Sequence, residues 1–165
     1  MIESQPNSKI RTVKKGEIFQ RRGELNSKVY QIKEGLVRSY TIDEKGKDHI
    51  FMFAYEGWTI GDAISIDEPC ELFMDALEDS VLIVREKNIA QEVNAQSFKA
   101  LVKRMLVLQR RMIGMMSSTA MERYEDFEST YPELIQRLPQ RMIASYLGVT
   151  PEALSKLRGE RARSK

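Results

Sequence analysis

Two periodicities divide this chain, and one layer of structure cannot hold both. Over residues 9–85, apolar runs of five to seven residues alternate with glycine or charged breaks: KIRTV before KKG, EIFQRR before GE, VYQIK before EG, LVRSYTI before DEKGK, HIFMFAY before EG, and finally VLIVR. Strands this short, at a spacing of roughly 8–12 residues, predict an antiparallel sandwich or barrel. DEKGK between two apolar strands predicts a hairpin turn.

Beyond residue 85 the pattern becomes helical. EKNIAQEVNAQ predicts a short helix or helical turn, and from residue 97 to about residue 129 a long helix is expected, because no proline interrupts it. Phe98, Leu101, Met105, Leu108, Met112 and Met115 follow 3-4-3-4-3 steps, the spacing of a heptad seam. Val102, Ile113, Met116 and Ala120 form a second stripe. Two stripes predict two partners: the β part, and the same helix of a second subunit. One broad core face is the plainer alternative. Pro132 and Pro139 suit only the first turn of a helix, so short helices follow. The expected class is α+β: a β jelly roll or barrel at 1–96, a dimerisation helix at 97–130 and a helix-turn-helix at 131–165.

The last segment carries the most specific signal. In PQRMIASYLG, Met142, Ile143, Tyr146 and Leu147 share a packing face, and Gly148 predicts a left-handed cap. Thr150 is a good N-cap and Pro151 a good first residue for a second helix. Two helices joined by so short a glycine turn are a helix-turn-helix, whose second helix enters the major groove of DNA. Leu154 and Leu157 would seat that helix. Thr150, Glu152, Ser155 and Lys156 would face the bases, where Glu accepts from cytosine and Lys donates to guanine. Arg158 and Arg161, with Arg163 and Lys165, would meet phosphates.

Charge agrees with that reading. Residues 1–96 hold 13 Lys and Arg against 17 Asp and Glu, whereas residues 132–165 hold 7 against 3. A solvated helical tail is the bland alternative to a basic DNA-facing end. Cys70 and His49 stand alone of their kinds, which excludes intramolecular disulfides, cysteine-held clusters and a multi-histidine metal enzyme. No Ser–His or Cys–His pair argues for an enzyme, and no metal or cofactor is expected. MIESQPNS lacks a signal-peptide pattern and IFMFAY is too short to span a membrane, so a cytoplasmic location is expected, with no membrane partner.

The order of these parts resembles the Crp/Fnr transcriptional regulators, over nearly the whole chain. YPELIQRLPQRMIASYLGVTPEALSKLR resembles the short-tailed members. VKKGEIFQRRGE, VYQIKEGLVRSY and ALEDSVLIV resemble the cyclic-nucleotide-binding domain. The resemblance implies a homodimer on palindromic double-stranded DNA, RNA polymerase as a further partner, and base-reading positions at Glu152 and Lys156. It departs from the family at Pro151, where many members carry arginine. It also departs in having little before residue 9, no wing after the reading helix and no cysteine set for an iron–sulfur cluster. The alternative is a ligand-sensing protein-interaction module without DNA binding.

In that family, a Gly-Glu pair opening a short helix and an arginine after a proline hold the ribose and cyclic phosphate. Here the stretch is GDAISIDEPCELF, which gives a pocket of Gly61, Asp62, Ala63, Ile64, Cys70 and Glu71. The arginine position falls on Cys70, and no Arg or Lys lies within 60–84. Cyclic nucleotide binding is therefore not expected, since a buried phosphate loses its cation. A ligand-free turn is favoured. A redox-type or non-phosphate effector at Cys70, and an arginine supplied from elsewhere, such as Arg38, stay open.

Overall fold

The computed structural model describes residues 8–87 and 95–163, apart from the side chains at 95–97, 100 and 103. The chain divides between residues 88 and 89 into two compact units. The short helix expected at 86–96 falls mostly outside the described residues.

The first unit is a sandwich of two antiparallel four-stranded sheets. Its strands are β1 (Ser8–Val13), β2 (Ile18–Gln20), β3 (Lys28–Glu34), β4 (Leu36–Ile42), β5 (Asp48–Tyr55), β6 (Thr59–Gly61), β7 (Phe73–Ala76) and β8 (Ser80–Glu86). One sheet runs β1-β8-β3-β6 and the other β2-β7-β4-β5. All eight strands contribute to one apolar core, which includes Val13, Phe19, Ile32, Val37, Ala54, Ile60, Met74 and Leu82. The expected hairpin joins β4 to β5. Asp43 closes it by accepting the Lys45 and Lys47 amides, each at 2.9 Å. At Gly35 the chain turns from β3 into β4 with φ 97°, and a Cβ there would collide with Ser80, so no other residue fits. β6 and β7 were not expected; three and four residues carry too little periodicity to show.

The second unit is helical: α1 (Ala95–Ser117), α2 (Ala120–Thr130), α3 (Leu134–Arg137), α4 (Gln140–Leu147) and α5 (Pro151–Arg163). The single long helix expected at 97–129 is thus two helices. Thr119 stops the first and starts the second through a reciprocal capping box: its hydroxyl accepts the Glu122 amide at 3.3 Å, and the Glu122 carboxylate accepts the Thr119 amide at 2.6 Å. Buried Tyr124, Phe127, Tyr131, Leu134, Ile143, Tyr146, Leu147 and Leu154 form its core. Phe127, Tyr131 and Tyr146 meet pairwise with ring centroids 5.3–5.8 Å apart. No helix among the described residues is long and apolar enough to cross a membrane.

Candidate functional site

The helix pair at the C-terminus has the geometry its residues demand. Pro139 precedes α4 with extended backbone, and Gly148 ends it in the left-handed region at φ 68° and ψ 32°. The Thr150 hydroxyl accepts the Ala153 amide at 3.2 Å and so caps α5, whose first residue is Pro151. Leu154 is fully buried and seats α5 on the core, while Leu157 is half-buried. Thr150, Glu152, Ser155 and Lys156 are all exposed. They begin the helix and share its outer side.

The expected base reader Lys156 and the expected tail cations divide, and Lys165 lies outside the described residues. Lys156 projects into solvent, 79% exposed, with Glu160 3.9 Å away. Arg158 is half-buried. Arg161 turns back to pair with Glu128 of α2, and its guanidinium lies 5.8 Å from the Tyr124 ring centroid. Arg163 donates from Nε to the Gly159 carbonyl at 3.2 Å. Arg161 thus braces α5 against α2 and does not project as a tail cation. Arg141 is exposed in the first turn of α4; nothing in its sequence context marked it.

Along α1, Phe98, Leu101, Met105, Met112 and Met115 are exposed, and Leu108 is half-buried. Met105 and Met112 exceed 60% exposure, an apolar stripe that a lone helical unit leaves in water.

The cradle of the first unit is built differently from its expected form. No helix forms between β6 and β7. Residues 62–72 are a loop wrapped around the buried Asp62 carboxylate. That carboxylate accepts the amides of Ile64 at 3.2 Å, Glu71 at 2.8 Å and Leu72 at 3.0 Å. These three loop amides are thus satisfied by the loop's own acid. Gly61 is buried in β6 beside Val29, Ala63 is exposed, Ile64 is half-buried and Glu71 is exposed. Cys70 is buried and bound through its backbone to the 23–24 turn: its amide donates to the Glu24 carbonyl, and its carbonyl accepts the Gly23 amide, each at 2.8 Å. Burial, and then Asp62, push its thiol pKa up, which lowers its reactivity.

Arg38 does not reach this loop as a free cation. It is nearly buried in β4 and grips Asp75 of β7 with two parallel bonds, Nε to Oδ1 at 2.8 Å and Nη2 to Oδ2 at 3.0 Å. Its Nη1 pairs with Asp48 at 2.9 Å, and its guanidinium lies 4.1 Å from the Tyr40 ring centroid. The cation that does touch the loop was missed in the sequence. Lys87, just past β8, donates to the Ile64 carbonyl at 2.7 Å and to the Ser27 hydroxyl. It lies outside the 60–84 span, and only the fold returns it. Cys70 also lines a cavity of about 280 Å³ with Phe19, Gln20, Ser27 and Tyr30. The cations Arg11 and Lys28 on its wall pair with Glu17 and Glu86. Burial pushes the Tyr30 hydroxyl pKa up to about 12, and the Glu24 carboxylate on the same wall accepts the Arg21 amide at 3.0 Å.

Residues 10–102 match the family described as the cyclic nucleotide-binding domain. Among curated relatives, Electron transport regulator A of Shewanella oneidensis is 28% identical over 92% of this chain and 68% of its own length. The Fumarate and nitrate reduction regulatory protein of Vibrio cholerae is 27% identical over the same shares. Among solved structures, FixK2 from Bradyrhizobium japonicum shares the fold with a TM-score of 0.75 at 21% identity, over 95% of this chain and 85% of that one. A CRP/FNR-family transcriptional regulator from Thermus thermophilus gives 0.72 at 19%, over 94% and 87%. The chain belongs to the cyclic nucleotide-binding domain family and is similar to regulators of the Crp/Fnr type.

Proposed function

We propose that this chain is a homodimeric transcriptional regulator that reads a palindromic DNA site with α5, and that its effector cradle no longer takes a cyclic nucleotide. The observation that carries the reading is α5 itself. Leu154 is sunk in the core while Thr150, Glu152, Ser155 and Lys156 stand exposed at the start of the helix. That is the arrangement by which a second helix presents side chains to base edges. Lys156 and Glu152 discriminate bases. Arg141 and Arg158 contribute phosphate contacts together with the N-terminus of α4. The names of the relatives above, regulators of electron transport and of fumarate and nitrate reduction, agree with a regulatory role.

The seam Phe98, Leu101, Met105, Leu108, Met112 and Met115 joins the two copies. Its exposed apolar side chains support that assignment. The domain limits follow function: a cradle domain at 1–96, the dimer helix at 97–130 and the reading head at 131–165. In the cradle, the Asp62 bonds to Glu71 and Leu72 and the commitment of Arg38 to Asp75 support loss of the cyclic phosphate.

Salt titration separates this function from a protein-docking module. Fluorescence anisotropy with labelled duplex DNA is read at several salt concentrations. DNA reading gives an affinity that falls with an exponent of about −0.9 per phosphate contact, so several contacts give a steep slope. A flat slope, or no binding at low salt, contradicts the proposal.

A further inference from the structure

The turn between α4 and α5 is held from outside, and the holding residues come from α1 and α2. A helix leaves the carbonyls of its last turn without intrahelical partners. At the end of α4 two of them are met locally. The Gly148 amide donates to the Ser145 carbonyl at 3.2 Å, and the Val149 amide donates to the Ala144 carbonyl at 3.0 Å, the bond pair of a Schellman turn. The next two, of Tyr146 and Leu147, are met by arginines. Arg111 Nη2 of α1 donates to the Tyr146 carbonyl at 3.0 Å. Arg123 Nε of α2 donates to the Leu147 carbonyl at 3.0 Å.

Each arginine makes a second attachment. The Arg111 guanidinium lies 4.0 Å from the Tyr146 ring centroid. Arg123 Nη1 donates to the Ser118 carbonyl at 2.7 Å, in the corner between α1 and α2. Met115 of α1 closes the turn from the side: a Cβ on Gly148 would lie 2.8 Å from its Cε. The dipole of α4 favours cations at this end. Burial lowers the Arg111 pKa, so the desolvated guanidinium is kept at a cost that the carbonyl and the ring offset.

We propose that Arg111 and Arg123 are positioning residues for DNA reading: they fix the α4–α5 turn to α1 and to the α1–α2 corner, so that the helix forming the dimer seam sets the direction of the reading helix. A lysine cannot replace either fully, because a point charge cannot stack flat and donate in a fixed direction at once, as Arg111 does, nor fork to two carbonyls in fixed directions, as Arg123 does. The proposal rests on the reading of α5 as the DNA helix.

The test uses the full chain with Arg111→Met and Arg123→Met, singly and together. Two duplexes serve as probes: one recovered from a random pool by the wild-type chain, and one of random sequence. Each substitution is expected to weaken the recovered duplex about tenfold, the scale of one lost hydrogen bond to a charged group. Binding of random DNA and the sedimentation of the dimer are expected to stay as in the wild type. Hydrogen exchange at the Gly148 and Val149 amides is expected to quicken in the same variants without DNA. Arg111→Lys and Arg123→Lys keep the charge, recover part of the loss, and provide folded comparisons should the methionine variants not fold. Unchanged exchange at both amides overturns the clamp. So does an equal loss on recovered and random duplexes, which makes the arginines phosphate contacts. If the wild-type chain recovers no duplex, the DNA reading fails, and the exchange measurement alone decides the clamp.

Discussion

Asp62 and Glu71 are bound to each other: the buried Asp62 carboxylate accepts the Glu71 amide at 2.8 Å. With the Leu72 amide on the same oxygen and the Ile64 amide on the other, the acid engages three amides of the loop from within the fold. Isothermal titration with cyclic AMP and cyclic GMP is therefore expected to give no saturable signal at micromolar concentrations. Asp62→Ala removes an acceptor from three loop amides and is expected to destabilise the first unit by about 1–3 kcal/mol, read by denaturant unfolding. A micromolar signal lost in that variant would restore nucleotide control.

Arg38 and Asp75 form the second internal commitment of that unit, with side chains only 10% and 11% exposed. Arg38→Met strands Asp75 without its bidentate partner and is expected to cost about 3–5 kcal/mol. Arg38→Met with Asp75→Leu removes both charges and is expected to recover most of that loss. If the single variant unfolds at the wild-type midpoint, the pair is not structural, and Arg38 becomes available as an anion ligand again.

What could be read in advance followed from how local each signal is. The glycine-broken strands, the DEKGK hairpin and the Gly148–Thr150–Pro151 turn are decided within a few residues, and they stand in the structure where the chain places them. The α1–α2 break was also written locally, as Thr119 and Glu122 three residues apart. The apolar stripe running through it outweighed that signal. The fates of Arg38, Lys87, Arg111, Arg123 and Arg161 were not legible, because each meets at least one group that lies 23 to 37 residues away in sequence. An arginine that caps a remote carbonyl has the same neighbours in the chain as one that reaches for DNA.

The capping box gives a pH signature. Hydrogen bonds from the Thr119 backbone, and then its side chain, hold the Glu122 pKa below the ordinary glutamate value. A depressed carboxyl contributes stability above its unfolded-state value and loses it as pH falls through the folded one. The stability difference between wild type and Glu122→Gln is therefore expected to be constant near neutrality and to shrink under acid. A difference that does not change down to pH of about 3 would remove the ionised carboxylate from the cap.

The seam on α1 predicts the assembly. Met112 is 63% exposed, and Leu108 lies one helical turn before it on the same stripe. Leu108→Glu with Met112→Glu is expected to give a folded monomer by sedimentation, because opposed carboxylates replace the apolar contact. A dimer that survives both changes would move the interface elsewhere.

The central claim is that two copies of α5 read DNA, and selection of bound duplexes from a random pool tests it most directly. The account predicts enrichment of an inverted repeat with half-sites about one helical turn, roughly 34 Å, apart. It further predicts that Lys156→Ala, at a cost of about 1–3 kcal/mol, relaxes the preference at one base position in each half while leaving the others intact. A pool that stays random, or a Lys156→Ala variant that enriches the same repeat with the same stringency at every position, would contradict it.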